Sequence, residues 1–184
     1  MNSKFNLLDN GLLITKIFSG QDIRKFGSGN IGATNVLRTG NKFAAFLTLF
    51  LDGFKGFLAV YIFYSFLGLT AAQFSSIFVF LGHLLPIFNK FKGGKGVATF
   101  LGIIMALNFW LFFYAGLIWL ILAFLFKRSS LSSLFSTSFT LILAFPLSLE
   151  NNFWVLILLV IGIFVSHRAN IVRLFNGLEP KIGE

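Results

Sequence analysis

The 184-residue sequence contains no cysteine, only two histidines and only six acidic residues. Without cysteine it can form no disulfide framework, thiolate metal site or cysteine nucleophile. Two histidines and six scattered carboxylates are also too few for a histidine-rich metal site or for the clustered ligands of a divalent-cation enzyme. Charged residues make up 11% of the chain, whereas an ordinary soluble domain carries roughly 25%.

Apolar residues dominate the remainder of the chain. They make up 57% of it, and uncharged runs cover residues 69–89, 97–126, 131–149 and 153–166. A soluble core of this size cannot bury so much uninterrupted apolar length, which excludes a soluble enzyme and a disordered chain. The sequence therefore predicts an all-α, polytopic integral membrane helix bundle, with residues 1–184 in one domain.

The lengths of the apolar segments suggest where the chain crosses the membrane. A transmembrane helix needs about 20 residues to cross roughly 30 Å of hydrocarbon. Three segments are long enough, namely Phe43–Gly68, Leu69–Phe88 and Leu131–Leu149. Phe153–Ser166 must borrow from its flanks, and the first segment, Leu7–Phe18, has about half the required length. We expect the first helix to be short or incomplete.

The distribution of basic residues resolves the run 97–126, which is too long for one straight span and short for two. If Asn108 breaks it into two helices that cross in and back out, most basic residues lie on one side. That side holds 12 of the 15 basic residues: Arg24, Lys25, Arg38, Lys42, Lys90, Lys92, Lys95, Lys127, Arg128, Arg168, Arg173 and Lys181. The positive-inside rule makes it the cytoplasmic side of seven helices. The net charge of +9 then needs no nucleic-acid partner.

Three segments on this side are candidates for chemistry. In the first, residues 27–40, small glycines let backbone N–H groups converge on an anion, and amides add donors. Arg38 can grip a phosphate with two hydrogen bonds. The alternative is a plain interfacial turn. The candidate residues are Ser28, Gly29, Asn30, Gly32, Asn35 and Arg38.

The second segment places glycines around a lysine just before a helix. Gly93, Gly94 and Gly96 surround Lys95, and Thr99 follows. A helix N-terminus offers free N–H groups and a positive dipole end to an anion. The P-loop string is absent, which disfavours an ATPase. The alternative is a flexible basic turn that touches anionic lipid.

The third segment runs from Ser166 to Glu179. On a continuing helix, His167 and Asn170 share one face, where the histidine can transfer a proton or hydrogen-bond a substrate. The alternatives are a satisfied interfacial histidine and, for Glu179, a solvated tail carboxylate. Within the second span, Asp52 and Lys55 are three residues apart and are expected to form a pair, because unpaired charges in lipid are costly.

Together these segments resemble the acyl-phosphate:glycerol-3-phosphate acyltransferases of bacterial phospholipid synthesis. The similar strings are SGNIGATNVLR (Ser28–Arg38), GHLLP (Gly82–Pro86) with FKGGKGVAT (Phe91–Thr99), and HRANIVRL (His167–Leu174) with Glu179. DGFKG (Asp52–Gly56) resembles a further family segment. The similarity runs from about Gly11 to Glu179, and three long strings in the right order make it specific.

The resemblance implies a seven-helix enzyme of the bacterial plasma membrane, with its active site facing the cytoplasm. The enzyme would transfer a fatty acyl group from acyl phosphate to the sn-1 hydroxyl of glycerol 3-phosphate, giving lysophosphatidic acid and phosphate, without a cofactor or metal. By this resemblance, Ser28 and Arg38 would be required for activity, and the Lys95 loop would bind glycerol 3-phosphate. His167 and Asn170 would act in catalysis. Glu179 would support the structure, and we expect the same of Asp52 and Lys55.

Two features depart from the family pattern. The family usually opens with a full first helix, whereas Met1–Asn10 is polar here. Ser166 stands where an arginine commonly precedes the histidine, which reduces the positive charge expected beside His167.

Other classes remain as alternatives at this point. A transporter places polar sites near the bilayer midplane, but only Asp52 and Lys55 lie deep. No H-x-x-x-x-D string follows either histidine, which argues against acyltransferases that use a His–Asp pair on acyl-CoA. We expect direct acyl transfer; the substrate's own phosphate could take the proton, and the sequence leaves the proton acceptor open. A covalent acyl-Ser28 intermediate is less favoured, because no histidine lies nearby in sequence.

Overall fold

A computed structural model describes residues 10–89 and 91–183. Within these ranges the regular structure is helical and contains no strand, so the predicted all-α class is confirmed. The helices are α1 (Asn10–Ser19), α2 (Ala33–Leu37), α3 (Lys42–Leu84), α4 (Val97–Leu107), α5 (Phe109–Phe126), α6 (Ser129–Leu143), α7 (Phe153–Ser166) and α8 (Arg168–Phe175). Single 3-10 turns occupy Ile23–Lys25, Ile87–Asn89 and Glu150–Asn152. Lys90 and the predicted start of the first segment, residues 7–9, lie outside the described residues.

The 43-residue helix α3 folds back on itself at Gly68, where φ is +81° and ψ is −171°. Glycine adopts this combination freely because it has no Cβ. Lys55 Nζ lies 2.7 Å from His83 Nδ1 although 28 residues separate them. A straight helix would hold the two residues about 42 Å apart. The two spans predicted on either side of Gly68 are therefore the two antiparallel halves of α3.

The predicted break at Asn108 is also present. Asn108 has extended backbone angles, with φ −161° and ψ 116°, between α4 and α5. Its Oδ1 accepts a hydrogen bond of 3.0 Å from Leu111 N, so the side chain caps the new helix. Asparagine is among the residues that satisfy the free N–H groups of a first helical turn best, which explains why an apolar run of this length divides here.

Prolines account for two helix ends that differ from the predicted ones. α3 ends at Leu84 rather than Phe88 because Pro86 supplies no N–H for a further turn, and α6 ends at Leu143 rather than Leu149 ahead of Pro146. The residue before a proline is also driven out of the helical region. α6 begins at Ser129, two residues earlier than predicted.

Helices α3 and α4 approach each other closely through small residues. A Cβ on Gly56 would lie only 2.5 Å from the Thr99 carbonyl oxygen, and a Cβ on Gly102 would collide with the Gly53 carbonyl. Small residues permit such contact between helix backbones in a membrane bundle. The neighbouring core is built from fully buried side chains on α3, α4 and α7, including Phe80, Phe100, Leu156 and Ile163.

The outer surface of the bundle is apolar. By length and composition, α3 and α5 can each cross a membrane, and Glu150–Ser166 together with α8 forms a third candidate span bent by 62°. α4 and α6 are shorter apolar helices. Large side chains such as Phe66 and Phe124, each 82% exposed, lie where lipid tails would solvate them. The seven predicted segments correspond to α1, the two halves of α3, and α4 to α7.

Gly68→Ala should lower the thermal stability of the protein, because a side chain at φ +81° is strained by about 1–3 kcal/mol. Gly116→Ala is a matched control, since Gly116 lies within α5 and a Cβ there meets nothing within 4 Å. Alanine also stabilises the interior of a helix more than glycine does. We expect the Tm in detergent to fall for Gly68→Ala and to stay level or rise for Gly116→Ala. Equal Tm values for the two variants would contradict the reversal at Gly68.

Candidate active site

A cavity of about 180 Å³ lies where the three polar segments meet the ends of the long helices. The predicted site residues on its wall are Ser28, Asn30, Gly32, Asn35, Arg38, Asp52, Lys95, Gly96, His167, Asn170 and Glu179. These residues come from segments far apart in sequence. The predicted convergence of the segments into one site is thus present in the structure.

The first loop is organised by the side chain of Asn35, which is buried. Its Oδ1 accepts a hydrogen bond of 3.0 Å from Ser28 N, and its Nδ2 donates to Phe26 O at 2.9 Å and Asn30 O at 2.8 Å. The amide of Asn35 is therefore fully engaged within the loop. Asn30 Oδ1 accepts from Gly32 N at 2.8 Å. Both asparagines shape the loop, and they leave the Ser28 hydroxyl and the Arg38 guanidinium to face the cavity.

Two polar groups of this loop lack a protein partner within the described part of the chain. The Ser28 hydroxyl makes no hydrogen bond there, and Arg38 Nε is buried without one. A buried donor without an acceptor costs free energy unless a ligand satisfies it. The Arg38 side chain is thus suited to an anionic ligand in the cavity.

The glycine loop ahead of α4 is fastened to the end of α3. Gly93 N donates to Leu84 O and Gly94 N donates to His83 O, each at 3.2 Å. A Cβ on Gly93 would collide with the backbone at the end of α3, and a Cβ on Gly94 with the His83 ring. Gly93 and Gly94 therefore permit close packing and do not line the cavity. Within this loop, Lys95 and Gly96 line it.

Two other predicted binding residues also lie off the cavity wall. Gly29 occupies a left-handed turn of the first loop, with φ +70°, and a backbone role suits it. Thr99 packs against Gly56 on α3, and its Oγ1 is buried without a hydrogen-bond partner among the described residues. The geometry favours packing roles for both.

The side-chain ammonium of Lys95 forms no direct ion pair with any described residue. Its Nζ makes no hydrogen bond or ion pair in the described part of the chain. Burial lowers the pKa of Lys95 from 10.5 to about 8, with Glu179 opposing this effect and Arg173 and Arg38 adding to it. At neutral pH the side chain is therefore a charged, partly dehydrated donor, which an entering anion would stabilise.

The third segment differs from the predicted continuous helix, because the chain bends by 62° at His167 between α7 and α8. His167 is buried, and its Nδ1 lies 2.9 Å from the Ile163 carbonyl oxygen. The neutral ring therefore donates from Nδ1 and keeps Nε2 as an acceptor. Burial and, next, the charge of Lys95 lower the pKa of His167 to about 4, so the ring is neutral at pH 7.

Glu179 joins the tail to α6 and α8. Its carboxylate accepts hydrogen bonds from Ser130 Oγ at 2.7 Å, Asn170 Nδ2 at 2.6 Å and Arg173 Nε at 2.8 Å. Burial alone would raise the pKa of Glu179, but these three donors outweigh it and lower the pKa below 4.5. The predicted structural role of Glu179 fits this arrangement, which also fixes the orientation of Asn170.

The expected ion pair in the second span is present. Lys55 Nζ lies 2.7 Å from Asp52 Oδ1 and donates to His83 Nδ1 at the same distance. Asn10 Nδ2 donates to Asp52 Oδ1 at 3.0 Å. The charges are thereby compensated inside the bundle, and Asp52 and His83 form part of the cavity wall.

Several residues of the wall were not predicted. Leu49, Leu101 and Trp119 supply apolar surface, and the tail adds Pro180, Lys181 and Ile182. Trp119 Nε1 donates to Ser133 Oγ at 3.0 Å, and Ile182 N donates to Lys127 O at 2.7 Å. No sequence signal separates Trp119 from the other aromatic residues. From the sequence alone, residues 179–182 look like a solvated terminus. In the structure, the hydrogen bonds of Glu179 attach them to α6 and α8.

Comparison with known proteins agrees with this geometry. The sequence model of the glycerol-3-phosphate acyltransferase family matches residues 7–177. The chain belongs to this family. The glycerol-3-phosphate acyltransferase of Jannaschia sp. (strain CCS1) is 49% identical over 174 residues, which cover 95% of this chain and 86% of that one. That of Wolbachia pipientis wMel is also 49% identical over 174 residues, covering 92% and 88%.

Two crystal structures of PlsY (YgiH), an integral membrane glycerol 3-phosphate acyltransferase, have the same fold. The glycerol 3-phosphate form is 35% identical with a TM-score of 0.89 and covers 96% of this chain and 91% of its own. The lysophosphatidic acid form is 36% identical with a TM-score of 0.81, covering 97% and 94%. The predicted family, the polytopic membrane fold and the acyltransferase class are confirmed.

Raising the pH through 8 should weaken the binding of inorganic phosphate to this family member, because Lys95 then loses its positive charge. Lys95→Arg is the matched control, since arginine stays charged. Titration calorimetry between pH 7 and 9 should show the affinity of the wild type falling about tenfold relative to the variant. Parallel pH profiles for the two proteins would exclude Lys95 as the group that titrates.

Proposed function

We propose that the protein transfers a fatty acyl group from acyl phosphate to the sn-1 hydroxyl of glycerol 3-phosphate, producing lysophosphatidic acid and phosphate. The main support is one cavity in which the unpaired cation of Lys95 and the Arg38 guanidinium face the neutral imidazole of His167. The family relationship and the PlsY structures with glycerol 3-phosphate and lysophosphatidic acid point to the same acceptor and product.

Both substrates carry phosphate, and the cavity offers cations for them. Lys95 acts as a compact charge at the amino end of α4, where the first N–H groups of the helix are free to bind an anion. Arg38 presents a planar guanidinium that suits two phosphate oxygens. In this proposal, Lys95 and its loop hold glycerol 3-phosphate, and Arg38 holds the phosphate of the acyl donor.

His167 and Asn170 orient the attacking hydroxyl. Nε2 of His167 is the ring nitrogen free to accept the hydroxyl proton in a hydrogen bond, because Nδ1 bonds to Ile163 O. Asn170 is held by Glu179. A ring with a pKa of about 4 is a weak base, so its main contribution is orientation. Positioning of two reactants alone can supply about 7–11 kcal/mol of the barrier.

The chemical step balances without a strong base. The hydroxyl oxygen of glycerol 3-phosphate forms a bond to the acyl carbon, and the bond from that carbon to the phosphate oxygen breaks. The departing phosphate leaves as an anion, and a phosphate oxygen takes the hydroxyl proton. The Ser28 hydroxyl, which faces the cavity, stabilises the negative charge that develops on the carbonyl oxygen.

The apolar part of the wall suits the fatty acyl chain. Leu49, Leu101 and Trp119 line the cavity beside the polar groups, on helices whose outer faces are apolar. An acyl chain can therefore stay at the depth of the lipid tails while its phosphate reaches the loops. This arrangement lets a water-soluble acceptor and a lipid-soluble donor enter one site.

The proposed location is the bacterial plasma membrane, with the cavity on the cytoplasmic side. The basic loops that form the cavity carry the excess of lysine and arginine typical of cytoplasmic loops. The chain then acts as one integral membrane domain with membrane lipid as its surroundings and no nucleic-acid partner.

The donor is tested with purified protein reconstituted in lipid, with glycerol 3-phosphate as acceptor. We expect lysophosphatidic acid to form from palmitoyl phosphate, and palmitoyl-CoA to give no product above the background of a His167→Ala sample. Turnover of palmitoyl-CoA at a comparable rate would overturn the proposed donor. Absence of product with either donor would overturn the function.

The orientation is tested with single cysteines, for which the cysteine-free chain is well suited. Lys127→Cys and Glu150→Cys both replace exposed residues at opposite ends of the bundle. With a membrane-impermeant maleimide, we expect labelling of position 150 in cells whose outer membrane alone is opened. Position 127 should react only after the plasma membrane is permeabilised. The reverse pattern would place the cavity outside the cytoplasm.

A further inference from the structure

Ser166, the last residue of α7, connects the two halves of the proposed site. Its hydroxyl donates a shared hydrogen bond to two carbonyl oxygens, Lys95 O at 3.0 Å and Ile163 O at 2.8 Å. Ile163 O is also the acceptor for His167 Nδ1, which lies 3.4 Å from the Ser166 hydroxyl. One side chain therefore contacts the backbone of Lys95 and adjoins the ring of His167.

The bond to Lys95 O completes the anchoring of the glycine loop. On one side, Gly93 N and Gly94 N tie the loop to the end of α3. On the other, Gly96 O accepts from Phe100 N at 2.7 Å as the first carbonyl of α4. Ser166 ties the peptide between these points to α7, and this tie uses a side chain, so a mutation can remove it without changing the backbone.

We propose that Ser166 is a positioning residue for acyl transfer, which sets the ammonium of Lys95 relative to His167; this inference rests on the proposed function. A lysine side chain has four rotatable carbon–carbon bonds, so its reach is defined only if its backbone is held. Ser166 stands where an arginine is expected. The hydrogen bond from its hydroxyl to Lys95 O does not require the positive charge of an arginine.

The kinetic test compares Ser166→Ala with Ser166→Thr, which keeps the hydroxyl. Ser166→Ala loses the hydrogen bond to Lys95 O, which should raise KM for glycerol 3-phosphate about three- to tenfold, as expected for one neutral hydrogen bond. The change in kcat should be smaller. Ser166→Thr should stay within about twofold of the wild type. The control is Ser138→Ala, because Ser138 makes the same kind of bond to a helix carbonyl, Leu134 O at 2.8 Å, away from the cavity wall.

A double-mutant cycle asks whether Ser166 acts through Lys95. If it does, Ser166→Ala should have almost no further effect on KM once Lys95 is alanine, since coupled residues are not additive. Full additivity, or equal loss in the alanine and threonine variants, would overturn the positioning role.

A readout that needs no turnover separates this inference from the proposed function. Amine acetylation followed by mass spectrometry reports the reactivity of each lysine. Lys95 should react at least about three times faster in Ser166→Ala than in the wild type, because the loop loses its tie, while Lys16 on α1 should not change. Unchanged Lys95 reactivity overturns the tie even if the wild type is active. If Lys95 reacts faster in Ser166→Ala but the wild type forms no lysophosphatidic acid, the tie stands and the proposed function is wrong.

Discussion

The cost of a charge in hydrocarbon governs the arrangement of this molecule. An arginine or lysine at the centre of a bilayer costs about 2.5–3.5 kcal/mol or more, so the cations must gather where water can reach them. The chain meets this requirement by collecting its polar loops around one cavity at the ends of the helices. Asp52 and Lys55 lie within α3, and their charges are compensated by their own pairing and by Asn10 and His83. A site for a phosphate ester with a fatty tail follows from this separation of charged and apolar surface.

Pairing of charges within the cavity decides which cations remain for substrate. Glu179 accepts from Arg173, and Asp52 from Lys55. Lys95 and the Nε of Arg38 are left without a direct partner among the described residues. The same burial that lowers the pKa of Lys95 strengthens its attraction for an anion, because water competes less. The tail carboxylate thus contributes to binding indirectly, by engaging Arg173 and holding Asn170 in place.

Much of this architecture could be predicted from the sequence because local rules decide it. Asn108 and Gly68 divide long apolar runs, since one caps a helix and the other adopts a positive φ. The bias of lysine and arginine predicted that the loops would share one side. Local rules do not decide which loop residues face the cavity. From the sequence, Gly93, Gly94 and Thr99 look like parts of an anion-binding loop. In the structure they pack closely against α3 instead of lining the cavity. The bend at His167 and the bonds of Glu179 likewise depend on residues distant in sequence.

A structure of the protein in lipid with glycerol 3-phosphate bound tests the proposed site most directly. We expect a phosphate oxygen within about 3.2 Å of Lys95 Nζ and the sn-1 hydroxyl at hydrogen-bond distance from Nε2 of His167. A phosphate bound away from Lys95, or a hydroxyl on the far side of the cavity from His167, would contradict it.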